Sequence, residues 1–184
     1  MCVIIIKPAG VKMPSNNTLR NAYLANPHGC GFVSTNHHFK TLNYAKFIDR
    51  LASVDDSEAC IIHFRLATHG SIKQSNCHPF VKNDVYFAHN GILDIQPIGD
   101  KTDSETAFMK YIYPTIKSYG LDSVEVNYVI SRIIGFSKFA IMRSGSREVK
   151  TYGCFIEQPD GCLYSNLRFL AVDRRYSRIL HQIY

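Results

Sequence analysis

The sequence lacks an apolar run long enough to cross a membrane, and we expect no secretory leader. Its apolar start, residues 3–6, is followed at once by Lys7-Pro8, with no basic segment before it and no cleavage site after it. Six cysteines are present, but without a leader they do not indicate a secreted disulfide framework. We therefore expect a cytoplasmic protein with free thiols, which leaves a cysteine available for chemistry.

Metal-site spacing is also missing, although potential ligands are plentiful. One third of the chain holds six of them: Cys60, His63, His69, Cys77, His78 and His89. No CxxC pair or HExxH motif occurs, and Cys60 and His63 would point to opposite faces of one strand. The sequence thus predicts no metal centre, and nothing in it indicates a cofactor.

Charge is weakly clustered, even though the chain is basic, with 21 Lys and Arg against 15 Asp and Glu. Only the C-terminal tail, residues 168–184, approaches a basic patch, and a solvated helix face explains it about as well. No nucleic-acid-binding module accompanies the charge. The sequence therefore argues against a nucleic-acid partner and leaves open docking of this tail to an acidic partner.

The order of secondary-structure signals favours one α+β domain over residues 1–184, with no repeat or low-complexity segment. Strands are predicted over 3–6, 29–33, 59–64, 85–88, 138–142 and 148–151, and near 163–164. Helices are predicted over 17–25, 44–54, 103–117 and 121–134, with a short helical tail at the C-terminus. Strands at both ends with helices between them predict two sheets packed face to face and covered by helices.

Cys2 is the first candidate for chemistry. Removal of Met1, which we expect, would place a thiol and a free α-amino group on one residue. The α-amino group has a pKa of about 7.7 to 8.0, so it can accept the thiol proton. Taken alone, a cysteine at this position is more often a small buried hydrophobic residue.

Arg65 and Asp103 form the second candidate set. Arg65 follows the strand over 59–64, and its planar donors suit a carboxylate, although a surface salt bridge would explain it equally well. Asp103 opens a helix and could bind an amine, but the helix dipole would stabilise an acidic residue there in any case. Together the two side chains could hold both ends of an α-amino acid.

Asn90-Gly91 follows the strand over 85–88 and also has two interpretations. Locally, Asn-Gly between apolar residues favours a type I′ hairpin turn. Alternatively, the Asn90 carboxamide and the Gly91 N–H could both bind an oxyanion, which an amidase requires.

These motifs occur in a particular order along the chain: Cys2, Arg65 with Thr68-His69-Gly70, Asn76 with His78-Pro79, His89-Asn90-Gly91, and Asp103-Ser104-Glu105. In this order they resemble the glutaminase domain of class II glutamine amidotransferases, which are N-terminal-nucleophile hydrolases. The resemblance implies a four-layer αββα sandwich. It also implies that Cys2 attacks the glutamine carboxamide to form a thioester, while Asn90 and Gly91 hold the oxyanion.

The same resemblance implies the roles of the residues that bind substrate. Arg65 and Asp103 would bind the α-carboxylate and the α-ammonium group of glutamine. Thr68, His69 and Gly70 would shape the pocket around them.

Two features depart from the family pattern or leave its consequences open. Leu66 stands where an aromatic residue is common, and the segment between Gly91 and Asp103 is short, so another amide could be the substrate. Amidotransferases of this class usually carry a synthase domain, so we expect ammonia to pass to a separate synthase subunit or to be released. The alternative is a non-catalytic amino-acid-binding or interaction module that keeps the fold.

Overall fold

The computed structural model describes residues 2–67 and 70–170. Ten strands lie in this part of the chain: β1 (Val3–Lys7), β2 (Cys30–Ser34), β3 (His38–Thr41), β4 (Cys60–Phe64), β5 (Phe80–Lys82), β6 (Val85–Asn90), β7 (Lys138–Arg143), β8 (Lys150–Tyr152), β9 (Ile156–Glu157) and β10 (Leu163–Tyr164). They form a six-stranded sheet, β3-β2-β4-β1-β10-β9, and a four-stranded sheet, β5-β6-β7-β8. Every pair of neighbouring strands in both sheets is antiparallel.

The helices of the described residues are α1 (Asn16–Ala25), α2 (Tyr44–Leu51), α3 (Asp103–Ala107), α4 (Tyr113–Tyr119) and α5 (Val124–Ile133). A π-helical turn, Phe108–Ile112, joins α3 to α4, and a 3-10 turn spans Gln74–Asn76. Four helices begin with a side-chain cap that accepts a backbone N–H three residues on: Ser15, Asn43, Thr102 and Ser123. No helix in residues 2–67 and 70–170 is long and apolar enough to cross a membrane.

Alternation along β1 explains how the layers stack. Val3 and Ile5 join the core beneath α1 and α2, whereas Ile4 and Ile6 join the core between the two sheets. The far face of the four-stranded sheet packs against α3, the π-helical turn, α4 and α5. The molecule is therefore the αββα sandwich that the sequence predicts.

Most of the predicted elements are confirmed, with differences at the edges. β3, β5 and β9 were not predicted: β3 and β5 are edge strands of three or four residues, and β9 has only two. The predicted helix over 103–117 is interrupted by the π-helical turn. The predicted helical tail and most of the basic tail lie outside the described residues.

Candidate active site

The register of β1 against β4 brings Cys2 and Arg65 to one end of the six-stranded sheet. Val3 pairs with Phe64, so the residues just outside this pair are neighbours. The Cys2 Sγ accepts a hydrogen bond from the Leu66 N–H at 3.3 Å. Burial raises the pKa of the Cys2 thiol, and the Leu66 hydrogen bond and the Arg65 charge oppose that shift. The thiol therefore needs a nearby base to become a nucleophile.

A tight turn before β2 fixes the segment that carries Arg65. The Ala67 N–H donates to His28 Nδ1 at 2.9 Å, and the His28 N–H donates to the Arg65 carbonyl oxygen at 2.9 Å. Gly29 follows in a positive-φ conformation, where a Cβ would lie 2.4 Å from the Cys77 Sγ. Only glycine therefore allows the 70–79 loop to approach this turn. No sequence signal indicated the contribution of His28.

β6 delivers Asn90 and Gly91 from the second sheet. Asn90 is the last residue of β6 and pairs with Lys138 in β7, and it does not have a positive φ. The hairpin interpretation of Asn90-Gly91 is therefore wrong, because a type I′ turn needs positive φ at both residues. Gly91 has φ +151, and a Cβ there would lie 2.1 Å from Ser137 Oγ, so any other residue would clash.

Asp103 opens α3 beside the same sheet end. Its Oδ2 accepts the Leu93 N–H at 3.0 Å, and its Oδ1 lies 3.2 Å from the Ser104 hydroxyl. Ser104 Oγ in turn lies 2.7 Å from His89 Nδ1. The Asp103 carboxylate is thus hydrogen-bonded directly to the 91–102 loop and, through Ser104, to His89 near the end of β6.

One pocket joins these segments, and its lining residues come from five separate parts of the chain. Twelve residues line it: Cys2, Arg65, Leu66, Ala67, Asn76, His78, His89, Gly91, Ile92, Thr102, Asp103 and Ser104. Asn90 is not among the lining residues, and the residue is only 2% exposed. A Cβ on Gly70 would lie 3.8 Å from Arg65 Nη2, which places Gly70 beside the pocket. Thr68 and His69 lie outside the described residues.

The sequence profile of the class-II glutamine amidotransferases matches residues 36–138, more than half of the chain. The chain belongs to this family. It is 28% identical over 92 residues to the probable glutamine amidotransferase DUG3 of Saccharomyces cerevisiae, covering 41% of this chain and 26% of the yeast protein. Glutamine phosphoribosylpyrophosphate amidotransferase from B. subtilis, solved with ADP and GMP, superposes with a TM-score of 0.53. That match covers 78% of this chain and 35% of the bacterial chain at 19% identity, so it shows the shared fold.

The chain therefore spans about a quarter and about a third of the lengths of these two relatives. The matched range includes Arg65, Asn90, Gly91 and Asp103. Cys2 lies outside that range, and its place in the pocket follows from the register of β1.

Three buried histidines lie at the pocket: His78 and His89 are among its lining residues, and His63 contacts His78. The His63 Nε2 and the His78 Nδ1 are 2.9 Å apart, and the His78 and His89 rings are 6.4 Å apart between centroids. Burial lowers the pKa of His63 to about 3 and that of His89 to about 4, so both are neutral at pH 7. In residues 2–67 and 70–170, no three His, Cys, Asp or Glu side chains are arranged to hold a metal ion.

Proposed function

We propose that this protein hydrolyses the side-chain amide of glutamine to glutamate and ammonia, acting over residues 1–184 as one glutaminase-type domain. The observation that carries the proposal is the single pocket lined by Cys2, Arg65, Gly91 and Asp103. The pocket therefore contains a nucleophile (Cys2), a cation (Arg65), a backbone hydrogen-bond donor (Gly91) and an anion (Asp103). These are the groups needed to bind an α-amino acid and cleave its side-chain amide.

Attack begins with the mature N-terminus. With Met1 removed, the α-amino group of Cys2 takes the proton from the thiol as sulfur attacks the carboxamide carbon. Because burial raises the pKa of this thiol, proton transfer and attack are coupled rather than preceded by a stable thiolate. An S–C bond forms, and the amide oxygen becomes an oxyanion.

The oxyanion requires hydrogen-bond donors at the end of β6. The Gly91 backbone N–H and the Asn90 carboxamide N–H are the donors in this proposal. Gly91 is held against Ser137 by a contact that excludes any side chain, so its N–H is preorganised. Collapse of the intermediate breaks the C–N bond, and the amino group returns its proton to the leaving nitrogen as ammonia departs.

Recognition of the amino-acid end falls to Arg65 and Asp103. The guanidinium would bind the α-carboxylate, and the carboxylate would bind the α-ammonium group. Asp103 already accepts the Leu93 N–H and contacts the Ser104 hydroxyl, which fixes its orientation before substrate arrives. Thr68, His69 and Gly70 complete the wall of the pocket in this proposal.

Water then hydrolyses the γ-glutamyl thioester, which releases glutamate and regenerates the Cys2 thiol. The ammonia either passes to a separate synthase subunit or leaves into solvent. No cofactor takes part in this cycle.

The test is steady-state release of glutamate by purified protein whose N-terminus has been verified as Cys2. We expect turnover of glutamine and at least about tenfold lower kcat/KM for asparagine, which is one methylene shorter. Cys2→Ala should show no turnover. A processed wild-type protein that binds glutamine without hydrolysing it would contradict the proposal and support the non-catalytic module.

A further inference from the structure

The segment that follows β10 forms hydrogen bonds to the start of β1. The Ser165 Oγ accepts the Ile4 N–H at 2.8 Å, and the Ser165 N–H donates to the Ile4 carbonyl oxygen at 2.9 Å. Asn166 Nδ2 donates to the Cys2 carbonyl oxygen at 2.8 Å. Residues 2–4 are thus fixed by three hydrogen bonds from this segment.

Ser165 also reaches across to the second sheet. Its Oγ lies 2.8 Å from the Asn90 carboxamide, and both side chains are 2% exposed. One hydroxyl therefore connects the strand that carries Cys2 to the side chain assigned to the oxyanion. Ser165 lies outside residues 36–138, the range matched to the family.

The single proton of the Ser165 hydroxyl limits which atom of the Asn90 carboxamide can be its partner. A serine hydroxyl has one proton to donate, and one of its lone pairs is used by the Ile4 N–H. If the Asn90 Nδ2 faces Ser165, that proton finds no acceptor among the described residues, and the buried Asn90 Oδ1 has no partner there either. Two buried polar groups would then be unsatisfied at once, which is unfavourable because each has lost its hydrogen bonds to water without gaining another.

Turning the Asn90 amide by half a rotation removes both problems. The oxygen and nitrogen of a carboxamide have the same shape, so the hydrogen-bond network decides which one faces Ser165. In the turned orientation the Ser165 hydroxyl donates to Asn90 Oδ1. The Nδ2 then occupies the position without a partner among the described residues. In the proposed function it donates from there to the developing oxyanion.

We infer that Ser165 is a positioning residue: its hydroxyl donates to Asn90 Oδ1 and so presents Asn90 Nδ2 as an oxyanion donor. The catalytic consequence rests on the proposed function. The direction of the hydrogen bond does not, so the two can be tested separately.

A kinetic double-mutant cycle tests the catalytic consequence. Asn90→Ala should lower kcat for glutamine by about 10² to 10³-fold, and Ser165→Ala by about 10-fold or more, each with little change in KM. In the Asn90→Ala background, Ser165→Ala should change kcat less than about twofold, because its effect passes through Asn90. Multiplicative losses in the double variant would overturn the inference.

Ser34→Ala is the matched control. Ser34 is also 2% exposed and hydrogen-bonded, but it pairs with Cys60 at the opposite end of the same sheet. We expect this variant to lose stability and to keep the wild-type kcat and KM. A comparable loss of kcat in Ser34→Ala would mean that any buried serine in the sheet matters equally, which would overturn the inference.

A measurement on the wild-type protein decides the hydrogen-bond direction without turnover. In spectra of protein labelled with ¹⁵N-asparagine, Asn90→Asp identifies the Asn90 side-chain amide. We expect its protons to show no strong nuclear Overhauser effect to the Ser165 β-protons. A strong effect would place Nδ2 against Ser165 and overturn the inference, whereas inactivity of wild-type protein would count against the proposed function alone.

Discussion

The two ends of β1 differ in whether the buried polar groups around them have hydrogen-bond partners. At the end distant from Cys2, Lys7 is fully buried, and its ammonium donates to the carbonyl oxygens of Asp55, Asp56 and Glu58. The Glu58 carboxylate accepts hydrogen bonds from Ser34 Oγ and from two backbone N–H groups. Each of these charges is therefore compensated inside the fold.

At the Cys2 end, compensation is incomplete. Four buried side-chain atoms have no partner among the described residues, and three of them lie here: His63 Nδ1, His89 Nε2 and the Asn90 carboxamide atom that faces away from Ser165. The fourth, Asn26 Oδ1, follows α1. Because an unmet buried polar atom costs about 1 to 3 kcal/mol, this end gives up stability that the Lys7 end retains. Polar groups that have no partner beside a pocket are available to form hydrogen bonds with a ligand.

The largest expected effect comes from removing the nucleophile. Cys2→Ala should lower kcat for glutamine by about 10⁴-fold or more, since no other group can form the thioester. Its unfolding free energy in urea should stay within about 1 kcal/mol of wild type, because among the described residues the thiol hydrogen-bonds only to the Leu66 backbone. Residual activity above about 1% of wild type would refute the assignment of Cys2.

Lys7→Met should show the converse pattern. The substitution keeps the apolar stem but leaves three carbonyl oxygens without their donor, so we expect a loss of about 3 kcal/mol in unfolding free energy. Below the melting temperature, kcat and KM should match wild type. A loss of activity in a folded Lys7→Met protein would contradict the view that the Lys7 end of β1 serves stability and the Cys2 end serves activity.

Asp103→Asn tests whether the charge at the Cys2 end of β1 serves substrate binding and not folding. The amide oxygen can still accept the Leu93 N–H, so folding should be preserved while the negative charge is lost. We expect KM for glutamine to rise about 10- to 100-fold. Glutaramate, which is glutamine without its α-ammonium group, should lose less than about threefold, and an equal loss for both amides would contradict the role of Asp103.

The smallest effect concerns pH. Burial lowers the pKa of His63 to about 3 and that of His89 to about 4, against about 6.5 in an unfolded chain. The unfolded state therefore binds protons first as the pH falls, so this stability is complete above about pH 6.5 and declines toward pH 4. Each histidine contributes up to about 1.4 kcal/mol per pH unit in that window.

Urea titrations across that window provide the measurement. His63→Gln should show a shallower fall in unfolding free energy than wild type between about pH 6 and pH 4.5. An unchanged slope would mean that His63 titrates alike in the folded and unfolded states.

The order of the motifs along the chain, more than any local signal, indicated the residues of this candidate site, several of which lie where a strand or helix begins or ends. Arg65 follows β4, Asn90 ends β6, and Asp103 opens α3 behind the Thr102 cap. The side chains that support them carried no such signal. His28 contacts Ala67 across 39 residues, Ser165 contacts Asn90 across 75, and Asn166 contacts Cys2 across 164. Only the order of strands in the sheets brings these pairs together, and sequence periodicity does not determine it.

The π-helical turn and β3 were missed for a different reason. Residues 103–117 have continuous helical periodicity, which does not distinguish an α-helix from one containing a single wider turn. β3 is an edge strand whose exposed and half-buried residues give a weak alternation signal.

Intact-mass analysis before and after treatment with 6-diazo-5-oxo-norleucine, a glutamine-like alkylating agent, tests whether Cys2 is a nucleophile in a pocket that binds glutamine. We predict loss of Met1 and one adduct per chain, on Cys2, with no adduct in Cys2→Ala and protection by excess glutamine. Protein that has lost Met1 and remains unlabelled would contradict a mature thiol nucleophile in a glutamine-binding pocket.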